Sequence, residues 1–295
     1  MRAHRPTATF PDHLNALYDA FPFERSLAHD PVLLVRPFGS SRRSAEVAGI
    51  FAATLAIGNT TAIQGSFRKV LDLAGGDLAA YVDTVDERTW PDAFGPFKHR
   101  WIRGDQLGYL ALRLRQVYRE HGSLEQVFLD GLASQAGFPG GLAALSAALR
   151  GPAATHGGAP GAPRGYASLF PSPLESHSPC KRLTLFVRWM VRSGFPDLGV
   201  WSRVPASLLR VPLDQHVYWI AYHLGLTRRK SPSWAAVEEV TEALRAVDPE
   251  DPVKYDFVLC HTGISGDCPK HREIRVCGAC AVRPDCLLWR GRRTT

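Results

Sequence analysis

Asp214 stands at the mouth of one helix, Lys181 opens another, and Cys268, Cys277, Cys280 and Cys286 follow as C-x8-C-x2-C-x5-C. Each is a residue type that does chemistry. A carboxylate held in a fixed position lowers the energy of positive charge developing beside it. A lysine made neutral by desolvation or by neighbouring cations is an amine nucleophile and a Schiff-base former. One C-x-x-C pair flanked by two outlying thiols could hold zinc tetrahedrally or an iron–sulfur cluster through four thiolates. Zinc ribbons more often carry two such pairs, so the spacing favours a [4Fe-4S] cluster, with zinc as the alternative. The residues between these thiols, Lys270, Arg272, Arg275 and Arg283 among them, are too polar for the four to be inert core groups.

Each of these residues also has a plainer role. Val217, Ile220, Ala221 and Leu224 form one stripe of a 3.6-residue period, so Asp214 falls where a short side chain caps the first free N–H groups of a helix. The segment from Cys180, CKRLTLFVRWMVRSG, places Leu183, Phe186, Val187, Met190 and Val191 on one face and Lys181, Arg188 and Arg192 on another. That pattern predicts exposed cations beside a helix N-terminus, which suits a phosphate; a solvated basic face is the other reading. Arg182 lies next to Lys181 and would help depress its pKa. Cys180, at the same helix start, is a candidate for a lowered thiol pKa, whereas Cys260, in the apolar run Phe257 to Leu259, reads as a packed core thiol. The tryptophans at 189, 201, 219 and 234 read as core.

The elements that position these groups are helical. Residues 1–43, with five prolines and several arginines, read as an arm carrying one short helix near 13–20. Residues 44–165 form a helical lobe. It opens with SAEVAGIFAATLAI, apolar nearly all round, and includes an amphipathic helix at 105–121. Between its first two helices lies Gly58-Asn59-Thr60-Thr61, a turn that can also present Asn59 to a ligand. The lobe ends at 151–165 in GPAATHGGAPGAPRG, a flexible insertion. Residues 166–262 carry helix, hairpin and helix, then the Asp214 helix and further helices at 233–247 and 252–262. Residues 263–295 are the cysteine loop and a basic tail. Strand-like alternation is scarce, which makes the fold all-α, in two interleaved lobes.

A net charge of +7 suits a polyanionic partner. No run of 18 apolar residues appears, and no signal core opens the chain, so the expected setting is the cytoplasm, at the nucleoid and away from membranes. Six cysteines in a reducing compartment point to free thiols or metal ligands. No acidic cluster of the kind a two-metal nuclease needs is visible.

Asp214 and its surroundings, Val211-Pro212-Leu213-Asp214-Gln215-His216-Val217 with His223-Leu224-Gly225-Leu226, together with the cysteine loop, resemble the helix-hairpin-helix DNA glycosylase superfamily. That group contains endonuclease III and the adenine and 8-oxoguanine glycosylases. Leu213 stands where the motif has Val, and the first cysteine gap is two residues longer than the family's. The hairpin ahead of Lys181, Pro171 to Pro179, has no glycine and is most similar to that of the archaeal 8-oxoguanine glycosylases. The PCKRL-x-LF-x-RWM and DPVKYDF stretches, at 179–190 and 251–257, also resemble a bacterial family of unknown function.

The resemblance implies a two-lobed glycosylase fold with Asp214 and Lys181 catalytic, a structural [4Fe-4S] cluster on Cys268, Cys277, Cys280 and Cys286, and a monomer acting on double-stranded DNA that contains a damaged or modified base. Arg182, Arg188, Lys270, Arg272, Arg275 and Asn59 are then the expected DNA contacts. The competing class is a non-catalytic DNA-binding module that keeps the shell and has lost the chemistry.

Overall fold

The computed structural model describes residues 8–151 and 161–291. The start of the expected arm (1–7), most of the insertion (152–160) and the end of the basic tail (292–295) lie outside the described residues. The fold is mostly helical, as the scarcity of alternation predicts. In chain order the helices are α1 (Phe10–Asp19), α2 (Phe23–Leu27), α3 (Arg42–Leu55), α4 (Thr60–Leu73), α5 (Leu78–Thr84), α6 (Gly104–His121), α7 (Leu124–Leu132), α8 (Phe138–Arg150), α9 (Lys181–Val191), α10 (Gln215–His223), α11 (Trp234–Arg245), α12 (Asp256–Ile264) and α13 (Ile274–Gly278). Between α5 and α6 a two-residue pair, β1 (Lys98–His99) and β2 (Ile102–Arg103), forms an antiparallel hairpin. No helix among the described residues is long and apolar enough to cross a membrane.

The described residues divide into two compact units, and the chain passes between them more than once. One holds 27–151, 161–176 and 182–205; the other holds 8–26, 177–181 and 206–291. The stretch 166–262 is therefore shared between units, whereas the sequence reads it as one region.

The first unit is built around α3. Ser41 caps it through its hydroxyl, and every residue from Ala45 to Leu55 is buried. Helix α9 packs closely against it: a Cβ on Gly49 would lie 2.9 Å from the end of the Met190 side chain and 3.2 Å from the Phe186 ring, so both would have to give way. The one acid in the apolar run, Glu46, is fully enclosed and saturated. It accepts from Tyr118 Oη (2.6 Å), Trp201 Nε1 (2.7 Å), Leu124 N (3.0 Å) and Glu125 N (3.2 Å), and so fastens the N-terminus of α7 to α3. Burial pushes its carboxyl upward, and these donors pull it back.

In the second unit α10 packs on α12. Their approach is close: a Cβ on Gly263 would lie 2.8 Å from that of His216. Helix α12 starts at Asp256, later than the sequence pattern predicts, because residues 252–255 are taken up by turns. α1 is tied in by Asn15, which accepts from Tyr255 Oη at 2.6 Å, and by His13, 2.7 Å from the enclosed carboxylate of Asp285.

Candidate functional site

Asp214 caps α10 as its place in the sequence predicts: Oδ1 accepts from Val217 N at 2.9 Å. The cap fixes the carboxylate and leaves Oδ2 for other partners. Lys181 Nζ stands 3.9 Å from Oδ2, and the Cys260 thiol donates to the same oxygen at 3.4 Å. Lys181, Asp214 and Cys260 all belong to the second unit, and two of the three come from chain segments 33 residues apart. The side chains of Lys181 and Asp214 are 31% and 17% exposed, so solvent and a ligand can reach both. Sequence reasoning missed Cys260. It is the half-buried member of a run in which Phe257, Val258, Leu259 and His261 are buried, which turns its thiol toward the α10 cap.

The approach to Lys181 also departs from expectation. One turn of 3-10 helix, Tyr166–Leu169, stands where the first limb of the hairpin is expected. Cys180, immediately before Lys181, adopts φ 50, the left-handed conformation that a glycine takes without strain. Its thiol is buried, and burial pushes it up to about 12, so the lowered pKa considered for it is not found. Arg182 is half-buried and donates to the Leu169 carbonyl at 3.1 Å; burial lowers its guanidinium to about 10.

Arg188 is a correction. The helical pattern places it with Lys181 and Arg192 on an exposed basic face, yet Arg188 and Arg192 are both buried. Arg188 makes a forked contact with the enclosed Asp197 at 3.0–3.2 Å, and Arg192 reaches the same carboxylate at 3.3 Å and the carbonyls of Gly194 and Phe195 at 2.9 Å. A buried pair of cations is tolerable only with such partners, and Asp197 stands nine residues beyond Arg188 on an irregular segment that periodicity does not describe. Arg188 is therefore a structural residue and not a phosphate contact.

The four clustered thiols line one cavity in the second unit, together with Ile220, His223 and Leu259. Burial pushes the Cys268 and Cys280 thiols upward, and both feel the charge of the neighbouring thiols. Among the described residues no three or more His, Cys, Asp or Glu side chains converge closely enough to share a single metal ion; the sulfurs stand round the cavity. The loop is anchored at both ends, by Cys268 N to Thr262 O (3.0 Å) and Leu287 N to His223 O (2.8 Å). The four sulfurs lining the cavity, with Asp267 and His271 at its edge, fit a thiolate-bound group. His223 adds a second sign. It is 5% exposed, burial lowers its pKa, and neither ring nitrogen has a hydrogen-bond partner among the described residues. Lys270, Arg272 and Arg275 are exposed on this loop, the guanidinium of Arg272 lying 4.9 Å from the centre of the Trp289 ring.

Asn59, in the first unit, is exposed and caps α4, its side chain accepting from Ala62 N at 2.8 Å. Beside it stands a feature absent from the sequence reading. His99 is pinned to the α3–α4 turn by Ile57 O at 3.0 Å and by Ser66 Oγ at 2.8 Å, which fixes the β1–β2 hairpin there. Its tip carries Lys98, Arg100, Trp101 and Arg103, all exposed, with Trp101 56% open. An exposed indole therefore stands among three exposed cations. Of the four tryptophans read as core, Trp189 and Trp201 are buried, while Trp219 is 36% exposed.

No curated protein and no solved structure matches the chain. One family does, over residues 30–265, a span that includes Asn59, Lys181, Asp214 and Cys260 and ends before Cys268. The chain belongs to that family, described as "Protein of unknown function (DUF2400)".

Proposed function

We propose that this chain is a base-excision DNA glycosylase, removing a damaged base from double-stranded DNA, with an oxidised purine such as 8-oxoguanine favoured and with lyase activity through Lys181. The observation that carries the reading is the placement of Lys181 Nζ 3.9 Å from a carboxylate that is already fixed by a helix cap and open to solvent. The target nucleotide must leave the stack before its glycosidic bond is accessible. Lys181 in its neutral amine form attacks C1′ while Asp214 stays ionised, and the proton shed as the amine bonds to carbon goes to the departing base. The bond from C1′ to the base nitrogen breaks, and its electron pair departs with the base. Positive charge on the sugar is stabilised by Asp214, whose orientation the cap has set in advance. Opening of the sugar ring then gives the Schiff base, from which the 3′ phosphate is eliminated. Without attack by Lys181, water takes the place of the amine and the enzyme is monofunctional.

In this reading Cys268, Cys277, Cys280 and Cys286 hold a [4Fe-4S] group whose contribution is structural, with zinc as the alternative. The loop they brace presents Lys270, Arg272 and Arg275 to phosphate, which is a sequence-independent contact. Trp101 on its basic hairpin and Asn59 beside it supply a second DNA contact.

Borohydride trapping against duplexes carrying different damaged bases tests the chemistry. A covalent adduct is expected with the native chain and none with Lys181→Gln. An adduct that survives without Lys181 overturns its role as nucleophile. Duplex binding with no product on any lesion, unchanged by Asp214→Asn, overturns catalysis and leaves a non-catalytic DNA-binding module.

A further inference from the structure

The cavity lined by the four thiols contains one polar ring that its own fold leaves without a partner. His223 is the last residue of α10, and the helix that begins at the Asp214 cap therefore ends at the cysteine loop. Its ring is held in place from two sides. Trp219, one turn earlier, stacks on it with centroids 5.8 Å apart, and the backbone carbonyl of His223 accepts from Leu287 N, the residue after Cys286. Tyr222 packs edge-on at 5.9 Å. Neither Nδ1 nor Nε2 meets a hydrogen-bond partner among the described residues, although the residue is only 5% exposed. Buried polar groups pair almost without exception, and one left unpaired costs free energy. A histidine kept only to fill apolar space would do worse here than a phenylalanine of similar shape.

The ring lines the same cavity as the four cysteines, and since no protein group there among the described residues, Asp267 and Thr262 included, meets either nitrogen, sulfur carrying negative charge is the acceptor a bound group would bring to it. We propose that His223 donates a hydrogen bond from its ring N–H to a sulfur of the iron–sulfur group held by Cys268, Cys277, Cys280 and Cys286, and thereby raises that group's reduction potential and slows its loss. The inference rests on the cluster reading of those thiols. Hydrogen bonds to cluster sulfurs stabilise the more negative, reduced state, so removing one lowers the potential. Partners outside the ligand shell also orient the ligands, and their loss commonly weakens metal retention about 10-fold or more.

The experiment uses the full chain purified without oxygen. His223→Phe keeps the ring and its stacking on Trp219 and removes the donor; His223→Gln restores a donor. The expected results are a lower midpoint potential and iron release to a chelator about 10-fold faster for His223→Phe, with His223→Gln lying between it and the native chain. A measurement on the native chain alone guards against a variant that fails to fold. Transfer to D2O should shift the iron–sulfur stretching bands in resonance Raman spectra, and no shift overturns the hydrogen bond. A native chain that shows the cluster chromophore, with His223→Phe matching it in potential and iron release, overturns the role of His223 and leaves the cluster reading standing. A colourless native chain carrying one zinc overturns the cluster reading, and this inference with it.

Discussion

Asp197 is fully enclosed, with Arg188 and Arg192 at 3.0 and 3.3 Å from its oxygens, whereas Asp214 is part-exposed, with one oxygen on a helix cap and the other facing Lys181 at 3.9 Å and Cys260 at 3.4 Å. Both carboxylates face cations, but only one arrangement is closed. At Asp197 guanidiniums surround both oxygens, no ligand can enter, and the ions serve the packing around α9. At Asp214 the cap holds the carboxylate still while, among the described residues, Oδ2 faces a weak thiol donor at 3.4 Å and the Lys181 ammonium at 3.9 Å. A buried ion cluster with every contact made serves folding, whereas a fixed, part-exposed acid leaves room for the chemistry proposed for it.

Exchanging each carboxylate for its amide should separate the two most widely. Asp197→Asn leaves two buried guanidiniums without their counter-charge and should destabilise the first unit by about 3–5 kcal/mol, read as a lower denaturant midpoint. Asp214→Asn keeps a side chain that caps nearly as well, so its midpoint should stay within about 1 kcal/mol of the native value while base excision falls at least about 100-fold. If the Asp214 variant unfolds as readily as the Asp197 variant, the contrast fails and Asp214 is a structural acid too.

Acid should act on the second unit through its thiols. Burial raises the Cys268 and Cys280 pKa values, so these groups are protonated at neutral pH when no metal is bound, and binding must expel their protons. Each proton expelled makes affinity fall about tenfold for every pH unit lost, so metal retention, followed by metal content after dialysis at falling pH, should decline steeply below neutrality. Glu46, also raised by burial but saturated by four donors, holds no metal, and the helical signal of the first unit should persist through the same range. Loss of both together would show that the units do not respond separately.

Trp101 extends the comparison to a surface. Trp101→Ala removes a ring that is more than half open, so stability should change little, while duplex affinity should drop by about 1–3 kcal/mol, roughly five- to 150-fold, in a fluorescence-anisotropy titration. An unchanged affinity would remove the hairpin from the DNA-contact surface.

Much of this was legible in the sequence, for identifiable reasons. The Asp214 cap follows from a short polar residue ahead of an apolar stripe, and α3 from a run with no exposed face; both depend on neighbours a few residues away. Arg188 was misread because helical periodicity assigns a residue to a face and says nothing of an acid on an irregular segment that closes over that face. Trp101 escaped notice because strands of two residues have no period to detect. Cys260 was masked by the apolar company it keeps, and only the packing of α12 on α10 turns it toward Asp214. That the His223 ring meets no partner among the described residues is likewise a tertiary fact, although its position nine residues after Asp214 is plain in the sequence.

The smallest effect tests the finest point of the contrast, whether the Cys260 thiol helps aim Asp214. A thiol is a weak donor, and at 3.4 Å it restrains Oδ2 less than Val217 N restrains Oδ1, so its loss should cost far less than loss of the carboxylate. Cys260→Ala should lower kcat by a few-fold, about 1 kcal/mol, with KM little changed, because an interaction that orients a catalytic group acts on the chemical step. Cys260→Ser keeps a donor on the same helix position and should recover most of the rate. Equal losses in the alanine and serine variants, or a loss confined to KM, would mean that the thiol merely fills space beside α10. Asp214 would then be oriented by its cap alone.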